Sequence, residues 1–156
     1  MRVKSLLLTA AGTALGVILL TRAAATLGIA LTTNSGLKFG QIVATASPGT
    51  VMVTPAGFRS ASGGVALGSS FGVAPASFTV TGDANASYSI TLPGSVSLSG
   101  GTGSMMVDTF TSSPNGSGNL GAGGTQILSM GATLHVGAGQ HSTSYSGFCA
   151  VDIAYE

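Results

Sequence analysis

Charged residues are scarce in this chain of 156 residues, of which 6% are Asp, Glu, Lys or Arg, against about a quarter in an average soluble protein. Arg2, Lys4 and Arg22 stand before residue 26, and the rest of the chain has only Lys38 and Arg59 as cations. A nucleic-acid-binding surface needs clustered Lys and Arg to neutralise phosphates. The sequence offers no such cluster, which excludes nucleic acid as a partner.

The chain also has no tryptophan and one cysteine, Cys149, so a disulfide within the chain is excluded. Cys149 stands in an alternating apolar run, where an unbridged cysteine usually packs as a small hydrophobic residue. A reactive thiol needs a nearby cation or a helix N-terminus, and the neighbouring sequence has neither. We therefore predict that Cys149 is a core residue.

Motifs for catalysis and metal binding are missing as well. No Gly-x-Ser-x-Gly segment has the strand-turn-helix context of a nucleophile elbow. No sequence feature indicates that two of the acidic residues lie together, as the paired carboxylates of a glycosidase must. His135 and His141 have no Cys or carboxylate at ligand spacing. Asp83 and Asn85 lack the further ligands of a calcium loop and are typical of a tight turn. We expect no catalytic residue, no cofactor and no metal, and hence not an enzyme.

The first 25 residues have the pattern of an export signal, which we call the leader. A basic start, Met1–Lys4, precedes the apolar run Leu6–Leu20 and the small-residue cleavage sequence Ala23–Ala25. We predict cleavage after Ala25, with a signal peptide at 1–25 and a mature domain at 26–156. An uncleaved anchor is the alternative, but the apolar run is short for a bilayer span. The predicted location is the periplasm, the cell surface or the extracellular space, with no membrane span after cleavage.

Alternation of apolar and polar residues is abundant after the leader, and no stretch there has helical periodicity. Clusters of Gly, Asn and Ser separate the runs; among them, Asn34–Gly36 and Ser62–Gly64 are predicted turns and Gly116–Gly124 a predicted loop. The pattern predicts an all-β fold, a single antiparallel β-sandwich of immunoglobulin-like or pilin-like type. The alternating runs are Leu27–Leu31, Val51–Val53, Phe78–Val80, Tyr88–Leu92, Val96–Leu98, Leu134–Val136 and Cys149–Tyr155.

A series of short motifs in fixed order resembles a known family. The motifs are Leu37–Ile42, Gly49–Val51, Pro55–Gly57, Phe78–Gly82, Ile90–Pro93, Met106–Phe110, Gly131–Gly137, Gln140 and Tyr145–Gly147. Together they resemble the bacterial secreted family of domains of unknown function 4402, over nearly all of the mature chain. The resemblance implies a pilin-like or spore-coat-like β-sandwich of Gram-negative bacteria, often encoded near fimbrial chaperones and ushers, without enzymatic activity.

The leader, the uncharged β-rich composition and the resemblance favour a structural protein of the cell surface. We expect a fimbrial, pilus-like or coat subunit assembled by strand complementation, with a second copy or a periplasmic chaperone as partner. The candidate assembly residues are Leu27, Ile29 and Leu31 near the start, and Cys149, Val151, Ile153 and Tyr155 at the end.

The alternative function is a self-contained extracellular binding module, an adhesin or a glycan-recognition domain. It rests on Gly-rich loops and on scattered aromatic residues such as Phe58, Phe71, Phe110 and Tyr145. Core packing explains most such rings, and the chain lacks the tryptophan that sugar platforms usually use.

The alternation of apolar and polar residues does not decide whether a candidate strand belongs to the domain's own sandwich or takes part in assembly. Leu27–Leu31 is either the first strand of the domain's own sandwich or a donor arm for a neighbour. We favour the first, because the predicted turn at Asn34–Gly36 is followed at once by Leu37 and Phe39. Tyr145–Tyr155 is either an ordinary internal strand or a strand held by a chaperone, since both need the same alternation.

Overall fold

The computed structural model describes residues 28–70, 72–101 and 103–156 in full, and the backbone of residues 2–10 and 19–20. Ala23–Ala25, Leu27 and Phe71 lie outside the described residues, so the cleavage site stays a prediction. In chain order the strands are β1 (Arg2–Ala10), β2 (Leu19–Leu20), β3 (Ala30–Ser35), β4 (Lys38–Val53), β5 (Arg59–Leu67), β6 (Ala76–Thr81), β7 (Ser87–Thr91), β8 (Ser95–Gly100), β9 (Gly103–Ser113), β10 (Ser117–Asn119), β11 (Thr125–Val136) and β12 (Ser144–Tyr155).

Hydrogen bonds join these strands into one open sheet with the order β10-β7-β12-β8-β9-β11-β4-β1-β2. Strand β6 also pairs with β11 and with β3, and β5 pairs with β4. All pairings among β3 to β12 are antiparallel. The chain is an all-β, antiparallel β-sandwich, which confirms the predicted fold class. In the described part of the chain no helix is long and apolar enough to cross a membrane.

One apolar core holds the sandwich together. In β6, Ala76, Phe78 and Val80 are buried, whereas Thr79 and Thr81 are only partly covered, as strict alternation requires. Each large side chain moved from water into such a core stabilises the fold by about 1.5–3 kcal/mol. The buried residues form a single cluster, so residues 28–156 behave as one domain.

Strand β11 connects the two halves of the sheet by changing partners along its length. Thr125–Met130 pair with β6, and Ala132–Val136 pair with β4. Gly131 lies at the change, where a Cβ atom would overlap the carbonyl oxygen of Val53. The end of β4 can therefore reach its place only because residue 131 has no side chain.

Two predicted connections are strands in the structure. Ser62–Gly64, a predicted turn, lies within β5, where the β4–β5 register shifts between Ala44 and Gly49. Within the predicted loop Gly116–Gly124, Ser117–Asn119 form β10 and pair with β7. The turn prediction was wrong, and the loop prediction was wrong for Ser117–Asn119, because Ser-, Gly- and Asn-rich strands with little buried surface show no apolar alternation.

Candidate functional site

The backbone edge of β12 is the candidate site. Ser146 pairs with Ser99 of β8, and Asp152 pairs with Thr91 of β7, both on one side of the strand. On the other side, Ser144–Asp152 pair antiparallel with β1 over nine consecutive residues and without a register shift. Among residues 28–156, no strand pairs with that second side.

Strand β1 has β12 on one side and the start of β4 on the other. Strand β1 also pairs in parallel with the start of β4, Leu8 with Lys38 and Ala10 with Gln41. A strand therefore fits between β12 and β4, hydrogen-bonded to both. We call this position the acceptor groove; its walls are Ser144–Asp152 of β12 and Lys38–Gln41 of β4.

The inward residues of β12 form the floor of the acceptor groove. Tyr145, Cys149 and Val151 are each 0% exposed, and Ile153 continues the row at 1%. The prediction that Cys149 is a core residue is confirmed. Tyr155 is partly buried, and its hydroxyl accepts a hydrogen bond of 2.7 Å from the backbone N–H of Asp83.

Other sheet edges carry features that discourage strand addition. The pairing of β3 shifts register between Thr33 and Ser35, β5 contains Gly63 and Gly64, and β10 has only three residues. Natural proteins protect edges with bulges, Pro, Lys or short strands. Ser144–Asp152 contains no Pro or Lys and pairs without a shift. Among the described strands, β12 thus has an edge well suited to accept another strand.

Tyr145 anchors the start of β12. Its buried hydroxyl donates to the backbone carbonyl of His141 at 3.0 Å and accepts from Nε2 of Gln140 at 2.7 Å. A tyrosine near the start of a strand that bonds back to the preceding turn is a known stabiliser of β-sandwich corners. The contact fixes the first wall of the acceptor groove.

Arg59 fixes the second wall. Its Nη1 donates to the carbonyl oxygens of Phe39 at 3.0 Å and Gln41 at 3.2 Å, and its Nη2 donates to the carbonyl oxygen of Gly68 at 2.9 Å. Burial lowers the pKa of the guanidinium. Between the two bonded residues, Gly40 has φ +73°, which a side chain would strain. Arg59 thus ties the start of β4 to the loop that follows β5.

Asp152 marks one end of the acceptor groove. Among the described residues its buried Oδ1 has no hydrogen-bond donor, and in the pairing register Asp152 stands opposite Arg2 of β1. Because opposite charges at facing positions of neighbouring strands attract, a basic residue at that end of an added strand would be favoured.

The N-terminal candidate residues lie elsewhere. Ile29 and Leu31 are buried in the core, and Ala30–Ser35 pair with β6. The structure places Gly28 next to the Tyr155 hydroxyl, which brings the start of this segment to the end of β12. The part that either set of residues plays in assembly stays a prediction.

His135 and Asp108 form a pair on the outer face of the sheet. Nε2 of His135 lies 2.9 Å from Oδ1 of Asp108, which also accepts from the Thr109 hydroxyl at 2.9 Å. The His135 hydrogen bond, with a smaller contribution from Thr109, lowers the pKa of Asp108. Thr109 has φ 50°, unusual for a β-branched residue, at a register shift between β9 and β11. The pair reinforces this irregular stretch of β9.

The described residues contain no group of three or more His, Cys, Asp or Glu side chains that could hold a metal ion. His141 is exposed, and its backbone carbonyl accepts the hydrogen bond from the Tyr145 hydroxyl.

Sequence reasoning missed Phe148, whose side chain is 64% exposed on the outer face of β12. Alternation could have found it, because its neighbours Gly147 and Cys149 point inward. Of the aromatic residues noted in the sequence, Phe58 is 76% exposed, whereas Tyr145 is buried and Phe110 packs partly against the core.

Comparison with known proteins gives one match. Residues 29–155 match the family described as "Domain of unknown function (DUF4402)". The match takes in all strands from β3 to β12 and so includes both walls of the acceptor groove. No curated protein and no solved structure matches the chain.

The first prediction concerns Arg59. In Arg59→Met the carbonyl oxygens of Phe39, Gln41 and Gly68 lose a charged donor, and we expect the free energy of unfolding to fall by about 1.5–3 kcal/mol. Urea denaturation measures it. Lys38→Met removes the same charge without these bonds and is expected to cost much less; equal losses in the two variants would contradict the role given to Arg59.

The second prediction concerns pH. Because the pKa of folded Asp108 lies below its ordinary 3.8, the pair stabilises the fold above that pH and the contribution is lost as the pH falls through the lowered pKa. Both side chains are partly exposed, so the gain is at most about 1 kcal/mol. A carboxyl ¹³C NMR titration should show the Asp108 midpoint rising in His135→Gln but not in His141→Gln. An unchanged midpoint in His135→Gln would contradict the pairing.

Proposed function

The chain belongs to the DUF4402 family, and from this premise we propose that it is an exported, non-enzymatic structural protein of the bacterial cell surface. Its role is that of a fimbrial, pilus-like or coat subunit assembled by strand complementation. The observation that carries the proposal is the acceptor groove between β12 and β4, which no strand of residues 28–156 fills.

Backbone hydrogen bonding supplies the driving force. Buried N–H and C=O groups need partners, and the second side of Ser144–Asp152 meets only β1. Strand β1 lies within the leader, which export removes under this proposal. The exported subunit then has an open edge above a buried apolar floor, and a strand from a partner restores both the hydrogen bonds and the cover.

Composition fits close packing of subunits. Outer positions of the strands hold Thr and Ser rather than charged residues, as at Thr79 in β6 and at Ser60 and Ser62 in β5. Such a surface brings little charge repulsion between neighbours. It also leaves few charged residues to keep an open edge from pairing.

The alternative, a binding module, has a narrower basis. Phe58 and Phe148 are exposed large aromatic side chains, and exposed rings can serve as contact residues. Phe58 lies between β4 and β5, and Phe148 lies in β12. Strand complementation remains the better supported function.

The third prediction tests this function with the full chain, exported to the periplasm of a Gram-negative host with and without a strand-donating fimbrial chaperone. We expect the intact mass to lack residues 1–25. Without the chaperone most of the protein should aggregate or be degraded, leaving a small soluble fraction, and with it a soluble one-to-one complex should appear in size-exclusion chromatography with light scattering.

Phe58→Ser provides the matched control, because it changes an exposed ring outside the acceptor groove and should leave the complex intact. A soluble, stable monomer both with and without the chaperone would overturn the proposal. Loss of the complex in Phe58→Ser would instead favour the binding-module function.

A further inference from the structure

We propose that the exported chain is an acceptor only: its groove takes a strand of about nine residues from a different protein, antiparallel to β12, with a basic residue opposite Asp152. This inference rests on the proposed function and names the partner of the same site. It assigns the length, direction and chemistry of the added strand.

The pairing of β1 defines length and direction. Arg2–Ala10 lie antiparallel to Ser144–Asp152, residue for residue, and parallel to the start of β4. Antiparallel pairing makes closely spaced pairs of backbone hydrogen bonds. A partner strand that satisfies the same edge therefore runs in the same direction over the same nine positions.

The floor and the end of the groove define the chemistry. Tyr145, Cys149 and Val151 are buried beneath the edge, so the inward residues of an added strand, at every second position, must be apolar. In the register of β1 the basic residue Arg2 faces Asp152. A Lys or Arg at that position of the added strand would place a positive charge opposite the carboxylate, and opposite charges at facing positions stabilise a strand pair.

Within residues 28–156, a second copy of the chain has no unpaired strand for this role. Strands β3 to β12 are all paired within the domain. Cleavage after Ala25 would leave only residues 26–29 ahead of β3, which begins at Ala30. Donating a longer segment would require Ile29 and Leu31 to leave the core, where they are buried. The donor is therefore another protein.

The fourth prediction uses the soluble exported protein recovered from the host without the chaperone and, as probe, a synthetic peptide with the sequence of residues 2–10. We expect one-to-one binding by fluorescence anisotropy and an increase of several degrees in Tm. A peptide of the same composition in shuffled order should bind more than about tenfold more weakly, since a single lost 1.4 kcal/mol already corresponds to tenfold.

Asp152→Asn isolates the charged end without removing bulk from the groove. We expect this variant to bind the probe about three- to tenfold more weakly, and a probe with Arg2→Gln to bind both proteins equally. Equal loss with both probes would show that Asp152 acts on the fold and would overturn the assigned chemistry.

Three outcomes contradict the inference. Absence of probe binding while the chaperone complex still forms would place the partner elsewhere and leave the proposed function standing. Equally strong binding of the shuffled peptide would mean that the groove does not select a strand. Oligomers of the purified chain in which the probe is excluded would show that a second copy occupies the groove.

Discussion

The need of every buried backbone N–H and C=O group for a partner governs this structure. In most of the sandwich neighbouring strands meet that need, and the two halves share β11, which pairs with β6, β9 and β4 in turn. At Ser144–Asp152 of β12 the need is met only by β1, which belongs to the leader. Under the proposed function, export removes this strand and assembly supplies the edge with a partner strand.

Two polar side chains, Arg59 and Tyr145, hold the two walls of the acceptor groove in place. Arg59 is one of two cations after the leader, and it is partly buried and bonded to backbone carbonyls of the β4 wall. Tyr145 holds the start of the β12 wall through its hydrogen bond to the His141 carbonyl.

Sequence alternation predicted the elements that have one buried face, such as β6 around Phe78 and β12 around Cys149. It could not predict β5 or β10, because strands with little buried surface leave no apolar pattern. It also could not find the acceptor groove or the contacts of Arg59. Both depend on which distant segments become neighbours, and pairing partners are set by the packing of the whole domain rather than by local periodicity.

Amide hydrogen exchange of the exported protein reports whether the edge of β12 is open. We predict that the amides of Ser144–Asp152 that point away from β7 and β8 exchange much faster than those of Thr133–His135, which pair with β4 on one side and with β9 on the other. Binding of a partner strand should slow them to the same level. Slow exchange along that edge in the isolated exported chain would contradict the account, because the edge would then already have its partner.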